Sequence, residues 1–178
     1  MVTTLLHRLD ARDRALLGRW ALDALSPIRV TRAWRFLTHA GGARATILAV
    51  LGPAAVGGAG SRAAAVLAGA TLLVSHLLVQ LVKRRVLRER PTAQGLVQAC
   101  VEVPDRFSFP SGHSCAAMSV AFAYGLVFPA LAAPLVLGAT LVGFSRVRLG
   151  VHYPGDVVVG QALAILSALS LAALGLGA

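Results

Sequence analysis

Two short polar stretches hold most of the residues that could do chemistry. One is Arg106-Phe-Ser-Phe-Pro-Ser-Gly-His113, and the other is Ser145-Arg-Val-Arg-Leu-Gly-Val-His-Tyr-Pro-Gly-Asp156. The first places small residues, free backbone N–H groups and an imidazole at the start of an expected helix. Such a terminus favours an anion, because unpaired N–H groups and the helix dipole both point at it. The second places two arginines, a histidine and an aspartate just before another apolar run. A third stretch, Lys83-Arg-Arg-Val-Leu-Arg-Glu-Arg90-Pro91, adds cations at the end of a long apolar segment.

These residue types suit a tetrahedral oxyanion. Arginine forks take phosphate oxygens two at a time, and lysine adds a compact charge. Neither a carboxylate cluster for Mg²⁺ nor a His/Cys cage for Zn²⁺ is legible, so no metal or other cofactor is expected. Cys100 and Cys115 match no ligand spacing and read as small apolar fillers. The chemistry then falls to histidine. A neutral imidazole can attack phosphorus while a protonated one gives its proton to the leaving oxygen. Asp156 follows His152 by four residues across Pro154-Gly155, a turn able to return the carboxylate to the ring. That orienting logic makes His152 the nucleophile candidate and His113 the acid.

Stepping from residues to elements, composition decides where these loops sit. The 178 residues are 57% hydrophobic and 13% charged, against about 45–50% and about 25% in soluble domains. The expected fold is all-α: a polytopic membrane bundle of about five transmembrane helices, without the alternation of a membrane barrel. Apolar runs predict spans at 45–60, 63–82, 113–127, 131–145 and 157–177, so residues 45–178 form the transmembrane domain. The first span is weakened or bent by Gly52-Pro53. In the second, His76 is expected to hydrogen-bond a neighbouring helix. Residues 1–44 carry eight arginines and no long apolar run. Leu5, Leu6, Leu9, Leu16, Leu17 and Trp20 recur at helical spacing, and Ser26-Pro27 separates a second helix ending at Gly41-Gly42. This segment is expected to lie at the membrane interface, Arg toward anionic headgroups and Leu/Trp inward, or else to cover the membrane domain.

Counting crossings brings the loops at 83–112 and 146–156 to one membrane face. Lys83, Arg90, Ser111, Gly112, His113, Arg146, His152 and Asp156 converge there. Arg84, Arg85 and Arg88 read instead as a juxtamembrane basic cluster for lipid headgroups. The net charge of +10 therefore answers to a phosphorylated substrate and an anionic bilayer. A nucleic acid is excluded, since neither a recognition helix nor an aromatic stacking platform is present.

At these residues the sequence resembles the type-2 phosphatidic acid phosphatase superfamily, the lipid phosphate phosphatases. Its three motifs, Lys-x6-Arg-Pro, Pro-Ser-Gly-His and Ser-Arg-x5-His-x3-Asp, are complete and in order, separated by 18 and 31 residues. The resemblance covers residues 45–177. It implies that Lys83, Arg90 and Arg146 clamp phosphate, with Ser111 and the Gly112 backbone as further donors. It implies that His113 protonates the leaving group, that His152 becomes a phosphohistidine later hydrolysed by water, and that Asp156 orients His152. The implied activity is metal-independent hydrolysis of a lipid phosphomonoester or diphosphate: phosphatidic acid, phosphatidylglycerol phosphate, a polyprenyl phosphate or diphosphate, or a polyprenyl phosphosugar. A phosphotransferase would share the intermediate and differ in acceptor. A vanadate-dependent haloperoxidase would share the oxyanion site, but relatives of that kind are soluble. A non-catalytic lipid-binding protein would be expected to lack a histidine or the aspartate.

Bacterial relatives commonly have six spans, against five here. With five, the N-terminus and the catalytic face share a side. Only Arg62 of the 17 Lys and Arg lies opposite, and the positive-inside rule points the catalytic face of this inner (plasma) membrane protein toward the cytoplasm. Many relatives act on the extracytoplasmic face, which is the alternative.

Overall fold

In the computed structural model, backbone is described for residues 2–23, 25–103 and 105–177, and side chains from residue 10 onward. Seven helices follow one another: α1 (Val2–Trp20), α2 (Ile28–His39), α3 (Ala43–Val56), α4 (Ala59–Val86), α5 (Gly112–Val127), α6 (Pro129–Arg148) and α7 (Pro154–Ala173). The described residues contain no strand, only an isolated antiparallel bridge between Glu89 and Phe107.

Three helices, α4, α6 and α7, are long and apolar enough to cross a membrane, and α3 and α5 are shorter apolar helices. The 28 residues of α4 extend about 42 Å, which carries its last turn beyond the hydrocarbon. The basic residues Lys83, Arg84 and Arg85 occupy that turn, where cations complement the helix dipole. The 16 residues of α5 reach only about 24 Å. It tolerates this because it is the central helix, packed by α4, α6 and α7 rather than by lipid. Apart from Met118, its buried face is Ser, Ala, Cys and Gly, small residues that let helix backbones approach. Ser75 of α4 and Ser119 of α5 share a buried 2.8 Å hydrogen bond. The first expected span runs from Ala43 to Val56, continuous through Pro53. His76 is exposed on α4, beside Gly112, and borders a groove; the expected bond to a neighbouring helix is replaced by that position.

The N-terminal helices cover one end of the bundle. Leu17 is buried with Val147, Tyr153 and Val157, and Trp20 packs against this cluster. Trp20 and Trp34 both meet Phe144 edge-on, ring centres 5.6 Å apart. The apolar stripe expected to face lipid thus faces protein at Leu17 and Trp20; the side chains of Leu5, Leu6 and Leu9 lie outside the described residues. Arg148 donates to the Trp20 carbonyl, and the Leu22 N–H donates to the Arg148 carbonyl.

Candidate active site

The end of α4, the start of α5, the end of α6 and the start of α7 meet beneath α1 and α2. The chain leaves α4 through Leu87, which takes φ +52°. That left-handed conformation costs a non-glycine residue about 1–2 kcal/mol. It turns Arg88 and Arg90 back over the bundle.

The turn before α7 follows a helix-start logic. Pro154 opens the helix, where its missing N–H is no loss, and Asp156 sits one turn in. Asp156 Oδ2 accepts the Tyr153 N–H at 2.9 Å. This fixes the carboxylate beside the preceding histidine, with His152 Nδ1 3.4 Å from the same oxygen. Arg90 Nη1 lies 3.0 Å from the other ring nitrogen, Nε2. A guanidinium only donates, so Nε2 accepts and Nδ1 carries the proton toward Asp156. Burial, the largest influence, pushes the His152 pKa down to about 4, and the arginines reinforce it. The imidazole is neutral, with its free nitrogen turned into the pocket.

That pocket, about 490 Å³, is lined at its polar end by Lys83, Arg90, Gly112, His113, Arg146 and His152. Ser111 stands beside it with a buried hydroxyl that has no hydrogen-bond partner, as does Arg146 Nε. Ser111 N–H donates to the Asp156 carbonyl at 3.0 Å, which ties the Pro-Ser-Gly-His turn to the start of α7. Gly160 permits this closeness: a Cβ there would lie 2.6 Å from the Ser111 carbonyl oxygen. All eight residues expected at the site are therefore brought together. Six of them line the pocket, Ser111 adjoins it through Gly112, and Asp156 stands behind His152. Among the described residues, no group of three or more His, Cys, Asp or Glu could hold a metal ion.

Asp105 also stands at the polar end, and the rest of the same pocket is mostly apolar, running between α3, α4 and α5 past Ile47, Leu72, Leu73 and Val79, with Thr46, His76 and Gln80 on its wall. A second cavity of about 610 Å³ shares His113 and Arg146 but is lined otherwise by Arg35, Thr38, His39 and residues 99–102.

The sequence did not give the partners of the site's cations. Asp105 bridges Lys83 Nζ, at 2.9 and 3.0 Å, and Arg90 Nη2, at 2.9 Å. Thr38 of α2 accepts from Arg146 Nη1 at 2.8 Å. Arg88 does not join the exposed Arg84 and Arg85 as a headgroup cluster. Its half-buried guanidinium reaches Asp156 Oδ1 at 2.7 Å, Asp13 at 2.9 Å and Asp10 at 2.9 Å. Burial works against its charge, but Asp156, Asp13 and Asp10 raise its pKa further. The available signal was scarcity: the chain has only seven acidic residues, and Asp10, Asp13, Asp105 and Asp156 all meet this one cation set.

The site and its helices define the class. The chain belongs to the PAP2 superfamily, whose family model matches residues 64–175. It is 41% identical over 96 residues to decaprenylphosphoryl-5-phosphoribose phosphatase of Mycobacterium tuberculosis, covering 54% of this chain and 52% of that protein. The Mycolicibacterium smegmatis protein of the same name is 35% identical over 152 residues, covering 83% and 80%. Lipid A 1-phosphatase of Rhizobium johnstonii is 36% identical over 115 residues, covering 60% and 47%. The chain thus spans about half the length of the Mycobacterium tuberculosis relative that it matches. Among solved structures, a transmembrane PAP2-type phosphatidylglycerolphosphate phosphatase from Bacillus subtilis superposes with TM-score 0.72, at 23% identity over 94% of this chain and 86% of that one. Aquifex aeolicus LpxE gives 0.71, at 21% identity over 88% and 90%. Both share the fold of this integral membrane chain.

Proposed function

We propose that this protein hydrolyses a phosphomonoester or diphosphate of a membrane lipid through a phosphohistidine. The observation that carries the reading is the neutral His152, its Nε2 turned into a cation-lined cradle at the end of an apolar groove. Lys83, Arg90 and Arg146 hold the phosphate oxygens, and the Ser111 hydroxyl and Gly112 N–H donate to them. The charge that develops on those oxygens in the transition state meets donors already in place. Arg90 exchanges its contact with Nε2 for a phosphate oxygen as the nucleophile closes. His152 Nε2 then bonds to phosphorus, the bond to the leaving oxygen breaks, and His113 gives that oxygen its proton. In the second half, water attacks the phosphohistidine, His113 takes the proton, and inorganic phosphate and His152 are released. Asp156 holds the Nδ1–H throughout.

The two cavities sharpen the substrate. A largely apolar groove on one side of His113, and on the other a second cavity where Arg35, Thr38, His39 and Glu102 stand among Ala99 and Val101, suit a lipid with a polar group between tail and phosphate. Among the lipid phosphates that the motifs imply, a polyprenyl phosphosugar fits this division best. The names of the mycobacterial relatives support that choice. We read residues 45–178 as the phosphatase transmembrane domain of an inner-membrane protein. Residues 1–44 are its cap, and the catalytic face is toward the cytoplasm.

The test is phosphate release by purified protein from a panel in detergent micelles: phosphatidic acid, phosphatidylglycerol phosphate, undecaprenyl diphosphate and a polyprenyl phosphosugar phosphate. The expected order puts the phosphosugar first, and His152→Ala loses about 10³-fold or more in kcat. Turnover retained by His152→Ala would sink the mechanism. A preference for phosphatidic acid would sink the substrate assignment alone.

A further inference from the structure

We infer that the first helix of the chain is a working part of the catalytic centre: Asp13, acting through Arg88, positions Asp156 for His152. This rests on the reading of His152 as nucleophile. Asp13 lies outside the segment that the family model matches, residues 64–175, and its connection to the site is direct. Asp13 Oδ2 accepts from Arg88 Nη1 at 2.9 Å, and the same nitrogen donates to Asp156 Oδ1 at 2.7 Å. The other Asp13 oxygen accepts the Gly155 N–H at 2.8 Å. Asp13 therefore grips both the cation in front of Asp156 and the peptide immediately before it. Gly155 leaves room for this approach: a Cβ at that position would lie 2.6 Å from Asp13 Oδ2 and push the carboxylate aside. The guanidinium rests on the Tyr153 ring, 3.9 Å from its centre, which adds a cation–π contact on a third side.

The geometry assigns a purpose to this arrangement. Asp156 is fully buried and divides its oxygens between Arg88 on one side and Tyr153 N–H with His152 Nδ1 on the other. An arginine paired with Asp156 alone would draw the carboxylate from the imidazole. Asp13 and Asp10 share that guanidinium, so its charge is spread over three carboxylates and Asp156 stays available to His152. Neither Asp13 nor Arg88 lines either cavity, so both are positioning residues that never touch substrate.

The experiment uses the whole 178-residue chain in detergent, with the lipid phosphate of the panel that the wild type hydrolyses fastest. Asp13→Asn and Arg88→Gln should each lower kcat about 10- to 100-fold, the scale of a misplaced catalytic group. KM and inhibition by orthovanadate should stay within about twofold, because the phosphate cradle is untouched. The double variant should be no worse than Arg88→Gln, and Arg88→Lys should recover part of the loss. A pH profile supplies a readout that a merely structural role would not move. His152 faces Arg90, Arg146, His113, Asp105, Asp156 and, behind these, Arg88, with Asp10, Asp13 and Arg14 beyond on α1 and His39 on α2. Removing Arg88 should shift the acid limb of kcat/KM upward, and freeing Arg88 by Asp13→Asn should shift it downward. Wild-type kcat in both variants, with His152→Ala inactive, overturns the inference. So does a joint loss of kcat, KM and vanadate affinity with an unmoved acid limb, which would mark α1 as a structural support. An active His152→Ala overturns the histidine reading beneath it.

Discussion

Each cation of the proposed phosphate cradle already has an internal partner, Asp105 for Lys83 and Arg90 and Thr38 for Arg146. Asp105 is the clearest case. Burial opposes its charge, yet hydrogen bonds from Lys83 and Arg90 hold its carboxyl below the usual range, so it competes as an anion for the same two cations. Asp105→Asn keeps the volume and removes that competition. KM for the lipid phosphate and Ki for inorganic phosphate should both fall, by about three- to fivefold given that the carboxylate is partly exposed and screened. kcat should hold. Steady-state kinetics with phosphate as inhibitor checks this, and a rise in both constants would show that Asp105 instead holds the cations in place. The histidines, Lys83, Arg90, Arg146 and Asp156 were legible in the sequence because phosphate chemistry demands those types and the loops had to share a face. Asp105, Asp13 and Arg88 were not, because an ion pair across 75 residues, such as Asp13 with Arg88, leaves no local spacing to read.

At the scale of elements, each of the five apolar runs forms a helix, three of them long enough to cross a membrane, since burying a backbone in hydrocarbon demands a helix. The placement of α1 was not decided that way. A Leu/Trp stripe looks the same whether it meets lipid or Val147 and Tyr153, and only tertiary contact separates the two. What holds the site together between elements is close approach, above all of α7 to the Ser111 turn. Gly160→Ala would put a methyl 2.6 Å from the Ser111 oxygen. It should cost about 1–3 kcal/mol in stability and lower kcat by moving the turn that bears Gly112 and His113. Gly138→Ala is the matched control, because nothing lies within 4 Å of a Cβ there. It should raise stability by up to about 1 kcal/mol from helix propensity and leave turnover alone. Thermal unfolding in detergent and phosphate release read both. Equal effects at the two glycines would show that helix propensity, not the approach to Ser111, governs position 160.

For the molecule as a whole, the open question is which compartment the catalytic face meets. The proposed five-span topology puts sixteen of the 17 Lys and Arg of the sequence on that face, but the count is inflated by function. Lys83, Arg90 and Arg146 belong to the phosphate cradle, and Arg88 is spent on three carboxylates. Setting these four aside still leaves twelve against Arg62 alone. Ten of these, Arg29, Arg32, Arg84 and Arg85 among them, are exposed residues, the kind the positive-inside rule counts. On the proposed five-span topology, the exposed Leu25, between α1 and α2, and the exposed Gly58, between α3 and α4, fall on opposite sides of the membrane. With Cys100 and Cys115 replaced, Leu25→Cys and Gly58→Cys each supply one reporter thiol. A membrane-impermeant maleimide applied to intact cells should label Gly58→Cys and spare Leu25→Cys until the membrane is opened. The reverse pattern would put the catalytic face outside. The outcome also bears on the reaction's place, because a cytoplasmic face requires that the phosphorylated lipid be made on that side and returns the released phosphate there.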